Sequence, residues 1–398
     1  MTDPAAHEAP PAAATIARSL ALYLGALFAA VGIFVPYWPL WLASRGQDDA
    51  AIGLLLATGV WMRVLVAPLI ARAADGDFEH RAILRLLSAL VFVAFGLYAF
   101  ASSFSALAVL AVLTGAFWAA ILPLADSLTL LSAGAYGLDY GRIRRWGSIA
   151  FLAASLIGGL LLRDASPDRV LWILLVPLAL AALASLRLPA APRHAAEREA
   201  PPPLGDLLRR PWLLHLLAAA ALLYASHGML NGFSTIHWRG LGIGEGRIGV
   251  LWTVSVLAEV VLFSFGSQIL RRLRPLQLAT LAAAAAVVRW VGLAYATSFA
   301  AILALQGLHG LTFGAVHFAA LHFLHRALPK SASATAQTLF SAASGGLGYG
   351  FGFWLAGVLY GRYAGEGFVP MAGLAGLSAL LFVILDRLRR GDGDDDAS

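Results

Sequence analysis

The sequence has no cysteine and a single lysine, Lys330, among its 28 basic residues. Without cysteine there is no disulfide scaffold, thiol nucleophile or thiolate metal site. Charge is scarce as well: 13% of the 398 residues are Asp, Glu, Lys or Arg, against about a quarter in a soluble domain that must cover its surface. Apolar residues fill the space. They make up 60% of the chain, with a mean hydropathy of +0.78, in long unbroken runs rather than the short alternating strands of an outer-membrane barrel. The formal charge of +6 raises nucleic acid as a partner. The basic residues, however, are spread over short loops between apolar runs, where membrane topology accounts for them. What is left is an all-α integral membrane protein with the lipid bilayer as its solvent.

A hydrocarbon core of about 30 Å takes about 20 helical residues to cross. Twelve stretches qualify, at about 18–43, 51–73, 82–101, 104–132, 145–162, 169–187, 211–237, 247–270, 276–297, 299–326, 332–360 and 367–386. The longest connection, 188–210, carries Pro189, Pro192 and the run Pro201-Pro202-Pro203, has no apolar periodicity and reads as a linker. The expected organisation is a tail at 1–17, a six-helix bundle at 18–187, the linker at 188–210, a second six-helix bundle at 211–387 and an acidic tail at 388–398. With the amino terminus inside, 20 Arg and Lys fall on inside segments and 6 on outside loops, with Arg63 and Arg289 within spans. That bias predicts two cytoplasmic termini. The first 15 residues lack the basic region of a cleaved signal peptide. Heavy use of Ala with one Lys suggests a GC-rich bacterial genome, and so the inner membrane.

An ionisable group in hydrocarbon is costly and marks a functional candidate. The set is short: Arg63 in the second span, Asp126 in the fourth, Arg144 opening the fifth, His227 in the seventh, Glu259 in the eighth, Arg289 in the ninth, and His309 and His317 in the tenth. At about 1.5 Å per residue, Glu259, Arg289 and His309 all reach the midplane, where an acid, a guanidinium and an imidazole could form a proton-handling network. Burial opposes ionisation of a carboxylic acid and a neighbouring guanidinium restores it, so moving the cation away would load the acid with a proton. The plainer alternatives are a structural Glu259–Arg289 clamp, an Arg63 satisfied by backbone carbonyls, and interior histidines at 227 and 317. His317, His322 and His325 are spaced five and three apart, where helix neighbours need three or four. No metal site, and no cofactor, is expected. Nor is there a Gly-rich phosphate loop or a nucleophile elbow, so neither ATP-driven transport nor enzyme chemistry is supported. Among the aromatics, Trp61, Trp118 and Trp146 are expected to face a central cavity, whereas Trp38 and Trp41 also suit the interfacial belt.

Two six-helix halves joined by a polar linker resemble the major facilitator superfamily, whose substrate site lies between the halves at the midplane. The superfamily's loop signature is degenerate here: Ala71-Arg72-Ala73-Ala74-Asp75-Gly76 keeps the Asp, with Arg81 following. The strings Pro123-Leu124-Ala125-Asp126-Ser127, Asp139-Tyr140-Gly141-Arg142-Ile143-Arg144-Arg145-Trp146-Gly147-Ser148, Ala258-Glu259-Val260, Val288-Arg289-Trp290 and Leu308-His309-Gly310-Leu311-Thr312-Phe313, with His317, resemble the phenylpropionate permease family. That likeness runs over essentially the whole chain, and Arg63 and His227 fall where the family has Arg and His. A more distant resemblance is to lactose permease and related oligosaccharide–proton symporters. It implies that Asp126 and Arg144 hold substrate, that Glu259 serves substrate and proton, and that Arg289 and His309 complete the proton set. Departures are Thr312, where lactose permease has a proton-releasing Glu, and Ser226-His227-Gly228-Met229-Leu230-Asn231, where it has helix 7 acids.

The function these readings imply is proton-coupled symport, by alternating access, importing a small aromatic or hydrophobic carboxylate such as a 3-phenylpropionate-like acid. Arg63, Trp118, Asp126, Arg144, Trp146, His227, Asn231 and Glu259 form the expected substrate set, and Glu259, Arg289, His309 and His317 the expected proton set. A guanidinium, at Arg63 or Arg144, can hold a carboxylate by two parallel hydrogen bonds. A sugar would need many more polar side chains than Asn231, Gln306 and the charged set supply. Three alternatives stay open: a symporter for a neutral polar solute such as a sugar or nucleoside, an exporter, and, remotely, a non-transporting membrane sensor. A monomer is expected.

Overall fold

Polar residues set the helix ends that the hydropathy runs leave open. Ser103, Asp139 and Ser298 each accept a hydrogen bond from a backbone N–H three residues on, at 3.3, 3.0 and 3.2 Å, satisfying a donor that the first helical turn would otherwise strand. The Asp139 cap starts its helix at Tyr140, so Arg142, Arg144 and Arg145 are helical rather than in a loop.

The computed structural model describes residues 11–75, 79–190 and 204–391. The tail at 1–10, loop residues 76–78, most of the expected linker (191–203) and the acidic end at 392–398 lie outside the described residues. The first six spans are α1 (Pro11–Ser44), α2 (Asp49–Asp75), α3 (His80–Leu97), α4 (Phe104–Tyr136), α5 (Tyr140–Leu161) and α6 (Arg169–Ser185). The second six are α7 (Pro211–Gly240), α8 (Glu245–Ser264), α9 (Pro275–Tyr295), α10 (Phe299–Ala327), α11 (330–363) and α12 (Phe368–Gly391). Among the described residues nine helices are long and apolar enough to cross a membrane. One of these, Thr335–Arg390, turns back at Ala364–Gly367 and holds both α11 and α12. The remaining traverses are the shorter α6 and the α5 whose first turns carry three arginines. No strand occurs among the described residues.

Several helices are interrupted. α4 breaks at Ala119–Ala120, where the ring of Pro123 would clash with the carbonyl four residues back. α7 breaks at His227. α10 and α11 contain π-turns at Gly310–Gly314 and Ala342–Gly348, features that frequently mark functional positions in helices.

In the first half α1 packs on α5 and α6, and α2 on α4; in the second, α9 packs on α12 and α10, and α7 on α12 and α11. The halves meet along α2–α11, α5–α8 and α1–α7. Backbones of the two halves approach closely at the end where α2 starts and α11 finishes. There a Cβ on Gly53 would lie 2.6 Å from the Phe353 carbonyl oxygen and 2.8 Å from the Gly357 Cα. Within the first half the Tyr37 hydroxyl ties α1 to α5 by donating to the Ser155 carbonyl at 2.7 Å. Toward the opposite end, where α1 starts and α12 finishes, polar groups stay accessible: Arg63 is exposed, and Arg144 and Asp126 are 30% and 33% exposed.

Candidate functional site

The charged centre of the second half is built around Arg289, which is fully buried on α9. Its guanidinium donates to His309 Nδ1 at 2.9 Å, to Thr312 Oγ1 at 2.8 Å and to Gln306 Oε1. All three partners lie on α10 at spacings of three, which one helix face brings together. Glu259 on α8 completes the chain, its Oε1 2.9 Å from His309 Nε2. Gly310 makes this meeting possible: a Cβ there would overlap the carbonyl of Ala258, so only glycine lets α10 press close enough to α8 for His309 to reach the acid.

Hydrogen-bond chemistry fixes the direction of this chain. A guanidinium has donors and no acceptor, so His309 Nδ1 must be the lone-pair nitrogen. The imidazole proton then sits on Nε2 and is donated to Glu259. Protonating His309 would break its bond with Arg289. The sequence suggests a direct Glu259–Arg289 pair; the structure instead interposes His309, with Arg289 within electrostatic reach of the acid.

Around this core lie the other candidates. His227, fully buried at the α7 break, donates from Nδ1 to the Leu223 carbonyl at 2.9 Å and stands edge-on to Trp290, their ring centroids 4.8 Å apart. Asn231 is buried one turn on, and its amide nitrogen donates to the His227 carbonyl at 3.0 Å, so it ties down the break. His317 Nδ1 lies 3.4 Å from the Tyr224 hydroxyl, and His317 is within electrostatic reach of Glu259. Tyr349 on α11 bridges the halves, within reach of Arg63, Tyr224 and Glu259. Tyr224 and Tyr349 are not among the sequence candidates, because a tyrosine in a hydrophobic run carries no distinguishing signal.

The first half holds a second ionic group. Arg144 approaches Asp126 at 3.7 Å and stacks over Phe28, its guanidinium carbon 3.9 Å from the ring centroid. The Tyr140 hydroxyl donates to Asp126 at 3.3 Å. Trp118 is half-buried against Phe34 and Phe95, at centroid distances of 5.6 Å to each. Trp146 departs from expectation. It lies two residues from Arg144, on the opposite side of α5 because successive helical residues turn by about 100°. There it is 54% exposed and lines a groove with α1 and α6 rather than the space between the halves.

A family model described as the MFS_1 like family matches residues 18–369. The chain belongs to this family. MFS_1 like relatives include the probable 3-phenylpropionic acid transporter of Escherichia coli (strain K12), 32% identical over 374 residues that span 91% of this chain and 96% of that protein. Another is the maltose permease of Geobacillus stearothermophilus, 30% identical over 346 residues, 86% of this chain and 87% of the relative. In fold the chain is similar to the nucleoside transporter NupG, with a TM-score of 0.80, 17% identity and coverage of 93% of this chain and 98% of that one. It is also similar to a bacterial homologue of the human lysosomal transporter Spinster, with a TM-score of 0.78, 14% identity and coverage of 96% and 98%. This MFS_1 like protein is thus a multi-pass membrane transporter for a small molecule, not an enzyme, and its fold is that of the major facilitators.

The Arg289 cluster makes a stability prediction. In Arg289→Met the acceptors on Gln306, Thr312 and His309 lose their donor in a buried site, a loss of about 2–4 kcal/mol. Thermal unfolding of the purified protein in detergent should show a lowered midpoint, whereas Arg142→Met, on an exposed arginine, should leave it in place.

Proposed function

We propose that the protein is a proton-coupled symporter that imports a small aromatic or hydrophobic carboxylate, a 3-phenylpropionate-like acid, by alternating access. In this reading it acts as a monomer in a bacterial inner membrane with both termini cytoplasmic. Two six-helix units, 18–187 and 211–387, rock about a linker at 188–210. The accessible end would then face the cytoplasm.

The observation that carries the substrate class is the contrast between the two arginines of the first half. Arg144 already has Asp126 beside it, and a substrate carboxylate there would meet a like charge. No carboxylate among the described residues pairs with Arg63, which is exposed and has Tyr349 within reach across the interface. Arg63 therefore takes the carboxylate, while Tyr224, Tyr349 and Trp118 offer aromatic faces for a ring. The proton enters at Glu259. When Glu259 is neutralised, the charge of Arg289 is left unbalanced, which favours arrival of an anion and links the two ligands in one step. One proton with one monocarboxylate moves no net charge.

Uptake in proteoliposomes across a panel of aromatic acids tests this. Arg63→Lys keeps the charge and loses the planar fork, so KM for 3-phenylpropionate should rise by about tenfold, the equivalent of about 1.4 kcal/mol and in range for a charged hydrogen bond. An unchanged KM in Arg63→Lys would overturn the assignment. The maltose permease relative favours a second reading, transport of a neutral polar solute. Against it, the amide nitrogen of Asn231 and the amide oxygen of Gln306 are already engaged, leaving little to satisfy the hydroxyls of a sugar. Excess maltose should not compete with arylpropionate uptake.

A further inference from the structure

A groove of about 1000 Å³ runs along the outer surface of the first half between α1, α5 and α6. Its floor is made of small residues, among them Ala21, Gly25 and Ala150, and its walls of Leu22, Leu183 and Trp146. Those wall residues are 61%, 63% and 54% exposed on a face that no other helix of the described chain covers, so hydrocarbon surrounds it. Along α1 the lining runs from Arg18 to Ala29, about 16 Å at 1.5 Å per residue. That is half of a hydrocarbon core of about 30 Å, the depth of one leaflet.

The mouth of the groove is cationic. Arg18 and Arg187 both line it and both are exposed. Among the described residues neither pairs with a carboxylate. Arg187 is also not needed to cap the end of α6, because Arg85 from α3 donates to the carbonyls of Ser185 and Leu186 at 3.2 and 2.8 Å. Two guanidiniums at the end of the trough nearer the start of α1, above apolar lining one leaflet deep and beside a tryptophan, match one amphiphile: a negatively charged head over hydrocarbon tails.

We infer that the α1–α5–α6 groove is a binding site for an anionic phospholipid, whose phosphate is held by Arg18 and Arg187 and whose acyl chains lie on the Ala21–Gly25–Ala150 floor. The site is on the lipid-facing side of the bundle and separate from the Arg63 and Glu259 groups. Its trough is recessed between raised leucines, a shape suited to a thin flexible chain rather than to a helix about 10 Å across.

The test uses the full-length protein, purified from vesicles of equal parts palmitoyl-oleoyl phosphatidylglycerol and phosphatidylcholine, with native mass spectrometry of the retained lipid. The wild type should retain phosphatidylglycerol over phosphatidylcholine by on the order of tenfold, and Arg18→Gln with Arg187→Gln should bring the ratio to about one. Gly25→Leu, for which the Cβ fits at 3.9 Å from Ala150, should fill the floor and reduce retention of both lipids. A wild type without preference, or a preference that survives the double substitution, would overturn the site. So would a dimer that excludes lipid from the groove and is lost in Gly25→Leu, since the occupant would then be a second copy of the chain.

Discussion

Glu259→Gln should abolish accumulation of substrate while leaving exchange intact. One coupled proton and a gradient of one pH unit, about 1.4 kcal/mol, support about tenfold accumulation. A glutamine cannot release a proton, yet it preserves the size of the side chain and an oxygen acceptor for His309 Nε2. The variant should thus behave as a permanently loaded carrier. It is expected to equilibrate labelled substrate across a proteoliposome membrane in counterflow at near wild-type rates, while the accumulation ratio under a pH gradient falls to about one. Counterflow shows that the variant is folded and can change conformation, so lost accumulation can be read as lost coupling. A Glu259→Gln protein that still concentrates substrate tenfold would move the coupled proton elsewhere, with His227 and His317 as the next groups to examine. On the proposed reading His309 is a positioning residue. His309→Asn should retain coupling with a shifted pH profile, because Glu259 stays in place while the link to Arg289 is altered.

Much of this cluster is legible in the sequence, and the part that is not has a definite cause. Glu259, Arg289 and His309 stand out because charge in an apolar run is costly, and a rise of about 1.5 Å per residue places them at one depth. Depth does not give azimuth or side-chain reach, so the order Glu259–His309–Arg289 emerges only when Gly310 and the π-turn behind it set the distance between α8 and α10. Gln306 and Thr312 flank His309 by three residues on either side, a spacing that places them on its face; in the sequence Thr312 registers only as a missing acid. Trp146 shows the opposite error. Nearness to Arg144 in the chain suggests a shared cavity, but two residues along a helix point to opposite faces, and the ring lines the groove with α1 and α6. The spans are legible from hydropathy, yet their ends are not. α1 starts at Pro11 rather than near residue 18, and α5 at Tyr140 rather than near 145, because caps and helical continuity extend helices beyond their apolar stretch.

Gly53→Trp should hold the two halves apart at the end where they now meet. The approach of α2 to α11 is backbone against backbone: a Cβ on Gly53 would fall 2.8 Å from the Gly357 Cα, and one on Gly357 would fall 2.5 Å from the Asp49 carbonyl oxygen. No rotamer of an indole relieves an overlap that begins at Cβ, so the penalty falls on this closed arrangement and not on the one in which the halves separate here. Packing clashes in filled interiors cost about 1–3 kcal/mol and sometimes more. A penalty of about 3 kcal/mol is enough to take a 99:1 preference for closure to roughly even. The absence of cysteine makes this measurable, since paired spin labels can be placed in an otherwise unreactive chain. With labels at Arg45→Cys and Arg362→Cys, Gly53→Trp should add a population at longer separation, and net transport should fall because the cycle can no longer close at this end. Gly134→Trp is the control, since nothing lies within 4 Å of a Cβ at that position; it should leave the distance distribution as in the wild type. If Gly53→Trp gave the wild-type distribution as well, the α2–α11 contact would be a passive seam, and closure of the carrier would have to rest on the α5–α8 and α1–α7 contacts.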